Sequence, residues 1–219
     1  MNRIKKLMMC ILGGIVVMGL AGCNKEAEIK SELAPMFEVL NNQSLEGYNI
    51  LSINDSIDIY SADSMEGFQF DLNHLQENVF VGQGYDLSIS ETEGYPTSYK
   101  DGKLEVETDN VSLLAYQLGF EEFHFSEDYF AGLNFIEAYD HPNTYMKDMS
   151  YQEKSPSTYT QKLIDTYNLT SPTAAKIEIG KRRADEKSFA YILTYSLNDE
   201  ADILIKRVFS FVMEEQSDE

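Results

Sequence analysis

The sequence predicts an α+β fold: two layers, a mainly antiparallel sheet with a few packed helices. Three observations carry that expectation. Residues 155–212 read as one amphipathic helix followed by three strand-like segments, the order of a helix laid on a meander. Upstream, short alternating runs are separated by Gly, Pro, Asn and Asp, the turn chemistry of antiparallel neighbours. No strand–helix–strand alternation of the parallel type and no internal repeat is visible.

The elements follow in chain order. Ile29, Leu33, Met36, Phe37 and Leu40 recur at helical spacing, and Pro35 places the start of the regular helix near itself, with an end at about Asn42. Asn41-Asn42-Gln43 and Gly47 break the pattern. Tyr48 to Ile53 and Ser56 to Tyr60 then read as strands of a hairpin turning at Asn54-Asp55. Residues 61–85, punctuated by Gly67, Gly82 and Gly84, are expected to be mostly loop or short helix. Leu87-Ser88-Ile89 and Leu104 to Glu107 alternate as antiparallel neighbours around an exposed stretch holding Gly94, Pro96 and Asp101-Gly102. Asp109 or Asn110 caps a helix whose buried face is Val111, Leu114, Ala115 and Leu118, ended by Gly119.

Phe120 to Phe125 and Leu133 to Tyr139 are expected strands, the second ended by His141-Pro142-Asn143. A polar loop runs to about Lys154. Ser155-Pro156 starts a helix with Tyr159, Leu163, Ile164 and Tyr167 on one stripe. Strands at about 175–183, 188–197 and 203–212 close the chain. In the middle one Phe189, Tyr191, Leu193, Tyr195 and Leu197 share a face, and Ala190 and Ile192 make the other face partly apolar, where a helix is expected to pack.

The N-terminus fixes location rather than chemistry. Asn2-Arg3-Ile4-Lys5-Lys6 is basic, and the apolar run from Leu7 to Leu20 is shorter than the roughly 20 residues that span a bilayer. The closing residues Leu20-Ala21-Gly22-Cys23 resemble the lipobox of bacterial lipoproteins. That resemblance implies that a type II signal peptidase recognises Leu20, Ala21 and Gly22 and cuts before Cys23. It also implies that the Cys23 thiol carries a diacylglyceryl group with fatty acyl chains of the palmitate kind. An uncleaved anchor and an ordinary secretory peptide, which would leave Cys23 a free thiol, fit less well. The resulting division is a signal peptide over 1–22, a lipidated N-terminus and short polar tether over 23–30, and a single α+β extracytoplasmic domain over 31–219. Two small subdomains meeting near 140–155 are the alternative. The chain is expected on the extracytoplasmic face of the cell membrane, held by the lipid on Cys23.

Charge narrows the partners. The net charge is −20, and cleavage would remove Arg3, Lys5 and Lys6 but no acid. Such a field repels phosphate, so no nucleic-acid role is expected, and anionic lipid headgroups are likewise poor partners, which leaves the acyl chains alone as the expected anchor. Residues 23–175 hold 27 acids and 7 bases, whereas residues 176–207 hold 6 acids and 7 bases, including Lys181-Arg182-Arg183. That contrast reads as a solvated acidic surface or as a handle for docking.

Catalytic signatures are missing. There is no GxSxG elbow, HExxH helix or phosphate-binding loop, and Gly82-Gln83-Gly84 is too short to be one. Cys10 falls in the signal and Cys23 is claimed by lipid, which leaves no thiol for disulfides, redox chemistry or zinc. Asp71-Leu72-Asn73-His74 and Asn198 to Asp202 are the nearest approaches to a calcium loop, and both lack its glycine and distal glutamate. No metal and no cofactor are expected. His124, facing outward with Glu122, is a candidate proton-transfer pair, more simply read as an exposed strand histidine. Tyr95, Tyr99, Tyr145 and Tyr151 fall in predicted loops and form a candidate binding surface for an envelope protein, peptide or carbohydrate. The reading is therefore a membrane-anchored lipoprotein with a noncatalytic binding or protein-interaction domain. Its alternatives are a cell-envelope hydrolase using paired carboxylates and a solute-binding transporter component.

Overall fold

The computed structural model describes residues 25–42, 45–60, 65–76, 79–89, 94–100, 103–110, 112–113, 116, 127–167, 174–197 and 203–213. Its main feature is one ten-stranded antiparallel sheet. The strands are β1 (Tyr48–Tyr60), β2 (Met65–Gln76), β3 (Val79–Asp86), β4 (Tyr95–Lys100), β5 (Lys103–Val106), β6 (Asn134–His141), β7 (Met146–Gln152), β8 (Lys176–Arg183), β9 (Ser188–Leu197) and β10 (Ile203–Met213). Their order is β5-β4-β3-β2-β1-β10-β9-β8-β7-β6. Two five-strand meanders are thus fused where β10 returns to pair with β1. Followed around, this is the order of an up-and-down barrel, with β5 and β6 unpaired with each other among the described residues.

The expected α+β balance is therefore wrong, and the fold is mainly β. The described helices are α1 (25–33), α2 (Pro35–Asn42), α3 (Glu127–Ala131) and α4 (Thr158–Tyr167), with a further helical turn at Ser112, Leu113 and Tyr116. None is long and apolar enough to cross a membrane. The imbalance has a physical source in strands that do not look like strands. β1 is continuous through Asn54-Asp55, because Asp55 turns inward to a partner on β10 and Asn54 outward to Asp71. The supposed loop over 61–85 contains β2 and β3, whose outer faces carry polar residues and whose glycines mimic turns. β4 occupies the stretch expected to be exposed, and β7 the supposed polar loop before Lys154. Leu87 to Ile89 form a turn instead of a strand, held by Ser88 N donating to the Asp86 carboxylate at 3.0 Å.

Gly82 marks how closely β2 and β3 approach. A Cβ there would stand 1.8 Å from the Asp71 carbonyl oxygen, which no side-chain rotation relieves. Gly82→Ala is expected to cost roughly 1–3 kcal/mol by forcing the two strands apart. Urea melts check this, and an unshifted midpoint would contradict it.

The ends of the chain behave closer to expectation. α4 begins one residue after Ser157, whose hydroxyl accepts from Thr160 N at 3.2 Å, and it buries Leu163 and Ile164. β8, β9 and β10 lie within two residues of their expected bounds. Ala190 and Ile192 are buried too, apart from the main core, flanked in register by Arg182, Gly180, Ser210 and Val208. Asn110 caps the helical turn after it, accepting from Leu113 N at 2.9 Å. Leu113 and Tyr116 are the buried positions there, while Val111, Leu114, Ala115, Leu118 and the expected strand Phe120 to Phe125 lie outside the described residues.

Part of the expected tether is helical. Residues 25–30 already belong to α1, which buries Ile29 and Leu33, and Pro35 opens α2 at the position where its missing N–H is harmless. Lys147 of β7 pairs with Glu28 and Glu32 of α1 at 3.1 and 2.8 Å, so α1 is fastened to the sheet. One hydrophobic cluster runs from α1 and α2 through the inner sheet face to α4.

Candidate functional site

Strand register defines rows of residues sharing the inner face. One row crosses all ten strands: Val106, Thr97, Gly82, Leu72, Ile53, Phe209, Tyr191, Lys181, Lys147 and Asp140. Over β5 to β9 it is largely apolar, and over β8 to β6 it becomes charged. The next row toward that rim pairs Phe211, Phe189 and Arg183. The inner face thus ends in a polar corner.

A cavity of 350 Å³ occupies this corner. Around it stand Glu32 of α1, Tyr48 of β1, Asp140, Pro142, Tyr145 and Lys147 of the β6–β7 hairpin, and residues from β8, β9 and the turn between them. Its acids are mostly engaged. Glu32 is paired with Lys147, Asp140 lies 3.8 Å from Lys25, and the Asp185 carboxylate accepts from Lys187 N and Ser188 N at 2.7 Å each. Its cations are freer. Lys181, Arg183 and Lys187 have no carboxylate within ion-pair distance among the described residues.

Lys181 is the most distinctive of these. Its Nζ sits 4.3 Å from the Phe189 ring centre and 5.7 Å from that of Tyr191, so aromatic faces hold the ammonium in place. Burial lowers its pKa below the ordinary lysine value; Glu32 opposes that shift, while Arg183 and Lys147 add to it. A half-buried ammonium with no ion pair of its own among the described residues can take a charge-assisted contact from an anion. A larger recess of 660 Å³ lies beside α4, but it is lined by one helix and the turn before it, and six of its seven residues are exposed.

The buried carboxylates serve the fold. Asp55 of β1 accepts from Arg207 Nε of β10 and from the Tyr116 hydroxyl, and all three are buried. Burial raises the Asp55 pKa, with Arg207 and Tyr116 opposing. Glu153 accepts from Tyr129 and Thr160 at 2.8 Å, tying α3 and α4 to the end of β7. Burial and the Glu153 charge push the Tyr129 hydroxyl well above its usual range. Neither carboxylate lines the cavity.

The sequence candidates scatter. Leu20, Ala21, Gly22 and Cys23 lie outside the described residues, as do Glu122 and His124. Tyr99 is 6% exposed and belongs to the core, and Tyr95 and Tyr151 are half-buried on β4 and β7. Only Tyr145 is open, 73% exposed at the mouth of the cavity. The four therefore do not line one surface. What the tyrosine reading missed was basic: Lys181 and Arg183 continue the inner face begun by Ile177 and Ile179, a pattern visible in the sequence once β8 is placed. His141 and Asp148 pair at 2.6 Å across the β6–β7 hairpin, and no cluster able to hold a metal occurs among the described residues.

No family model and no curated protein matches the chain. Among solved structures, the de novo designed protein TMB2.3 aligns with a TM-score of 0.22 at 7% identity, covering 79% of this chain and 100% of its own. The tesB protein of Mycobacterium avium subs paratuberculosis gives 0.25 at 8%, covering 82% and 85%. A hot dog fold protein of unknown function from Alicyclobacillus acidocaldarius gives 0.23 at 6%, covering 80% and 83%. Likenesses this weak bear on neither fold nor function.

Proposed function

We propose that this chain is a lipid-anchored extracytoplasmic binding protein and that the rim cavity takes a small anionic ligand. The observation that carries the reading is Lys181, a half-buried ammonium held over Phe189 with no carboxylate within ion-pair distance among the described residues, in a chain whose net charge is −20. The cavity lining balances four bases, Lys147, Lys181, Arg183 and Lys187, against four acids, Glu32, Asp140, Asp185 and Glu186, in a chain that is acidic overall, so an anion is repelled less at this corner than elsewhere. Arg183 and Lys187 offer further donors beside it, and the Phe189 and Tyr48 rings provide an apolar wall. The anchor rests on the Leu20-Ala21-Gly22-Cys23 motif.

The test is titration with a panel of phosphate, sulfate and carboxylate compounds, followed by calorimetry and by the rate at which a water-soluble acylating reagent modifies Lys181. A bound anion stabilises the ammonium, so it should slow the acylation. Lys181→Glu should weaken binding at least tenfold, the order expected for losing a charge-assisted contact, while leaving the melt intact. The pH sign follows from the protonated amine being the competent form: affinity should decline as pH rises through the lowered Lys181 value. Binding indifferent to both Lys181→Glu and pH would refute the site.

A further inference from the structure

The cavity and the first described residues of the chain lie at the same corner of the molecule. α1 begins at residue 25, where the Lys25 ammonium is 3.8 Å from Asp140, and Asp140, Pro142 and Tyr145 belong to the cavity wall. Cys23 precedes Lys25 by two residues, which reach about 7 Å at full extension. A bilayer's headgroup layer is roughly 5–8 Å deep on each side. A link that short leaves the start of α1, and with it the β6–β7 hairpin, at headgroup level.

We infer that the rim cavity opens into the headgroup layer of the bilayer holding the anchor, and that the anion it takes is the phosphate-bearing headgroup of an anionic phospholipid rather than a dissolved solute. This deepens the binding reading above and rests on the lipid at Cys23. Two further observations fit a membrane-facing rim. Tyr145 stands 73% exposed at the mouth with a φ of 51°, a left-handed conformation unusual for an aromatic residue, and its carbonyl is fixed by Arg183 N at 3.0 Å. Tyr139, on β6, is 53% exposed. Tyrosine favours the membrane–water interface, where ring and hydroxyl are both accommodated. The acidity of the whole chain does not oppose this contact, since fields are screened over about 8 Å at physiological salt. At that range only the groups of the rim itself count, where four bases, Lys147, Lys181, Arg183 and Lys187, stand against four acids, Glu32, Asp140, Asp185 and Glu186, and the acids elsewhere on the chain are screened out.

The chain contains no tryptophan, so one introduced residue is a clean reporter. The full lipidated protein carrying Tyr145→Trp is placed in phosphatidylglycerol vesicles with brominated acyl chains and compared with Tyr60→Trp. Tyr60 lies at the other end of β1 from Tyr48, about 40 Å along the strand. Quenching several-fold stronger at position 145 is the expected result, together with slowed acylation of Lys181 by the vesicles but not by the same concentration of inorganic phosphate. Should Tyr145→Trp melt early, Tyr139→Trp replaces it. Equal quenching at both ends overturns the orientation, and equal protection by free phosphate overturns the lipid source. Fatty-acid labelling and flotation separate the two readings. A labelled, floating protein with an unquenched reporter ends this inference alone, whereas an unlabelled protein that does not float ends the anchor and this inference together.

Discussion

Asp55→Ala is expected to destabilise the protein by roughly 3–5 kcal/mol, a large share of the roughly 5–15 kcal/mol that holds a typical domain together. The loss comes less from the missing attraction than from what remains. Arg207 would keep its charge at any physiological pH while losing the buried carboxylate that Nε contacts, and Tyr116 would lose its acceptor. Replacing both ends, as in Asp55→Leu with Arg207→Met, should recover much of that stability, because the desolvation penalty of both charges goes with them. Denaturant melts of the two single variants and the pair form the test. If the double variant is as unstable as the singles added together, the ion pair is not what makes each single change costly.

Tyr99→Ala should have the second large effect, about 3–5 kcal/mol, the range for truncating a buried aromatic residue. Its ring lies 6.2 Å from that of Phe80 on the inner face of β4, opposite Leu104. Tyr145→Ala, at the open mouth of the cavity, should change stability by no more than about 0.5 kcal/mol. Parallel urea melts distinguish them. Similar midpoints for the two variants would mean that β4 does not pack as described.

Those two residues were equivalent in the sequence, both tyrosines among turn-forming neighbours, and the reason they differ explains much of what was legible. β8 to β10 and α4 could be read because their apolar residues keep strict periods of two or about four. β4 could not, since Pro96 and the nearby glycine and Asp101-Gly102 argue for a loop, while the alternation of Tyr95, Thr97 and Tyr99 is hidden by a threonine on the inner face. In β1 the inner position is an aspartate, apolar only in the sense that its charge is matched by a residue 152 positions away. Local pattern cannot foresee such a partner. The candidate site was half visible: Lys181-Arg182-Arg183 stood out as a basic run, but a strand sends Arg182 to the face opposite its neighbours, and only the register shows that Phe189 lies beside Arg183.

The pairing of β1 with β10 also governs how the chain can reach this structure. Each meander is built from local contacts and can form early, but the seam between them closes a loop of most of the chain, the slow kind of step in folding. A polypeptide emerging N-terminus first presents β1 with one side unpaired until its last strand appears. During that interval Asp55 has no guanidinium to meet and favours water over burial, which discourages β1 from collapsing against a wrong neighbour. The ion pair that is costly to break once formed is thus also one that can form only when β1 and β10 meet.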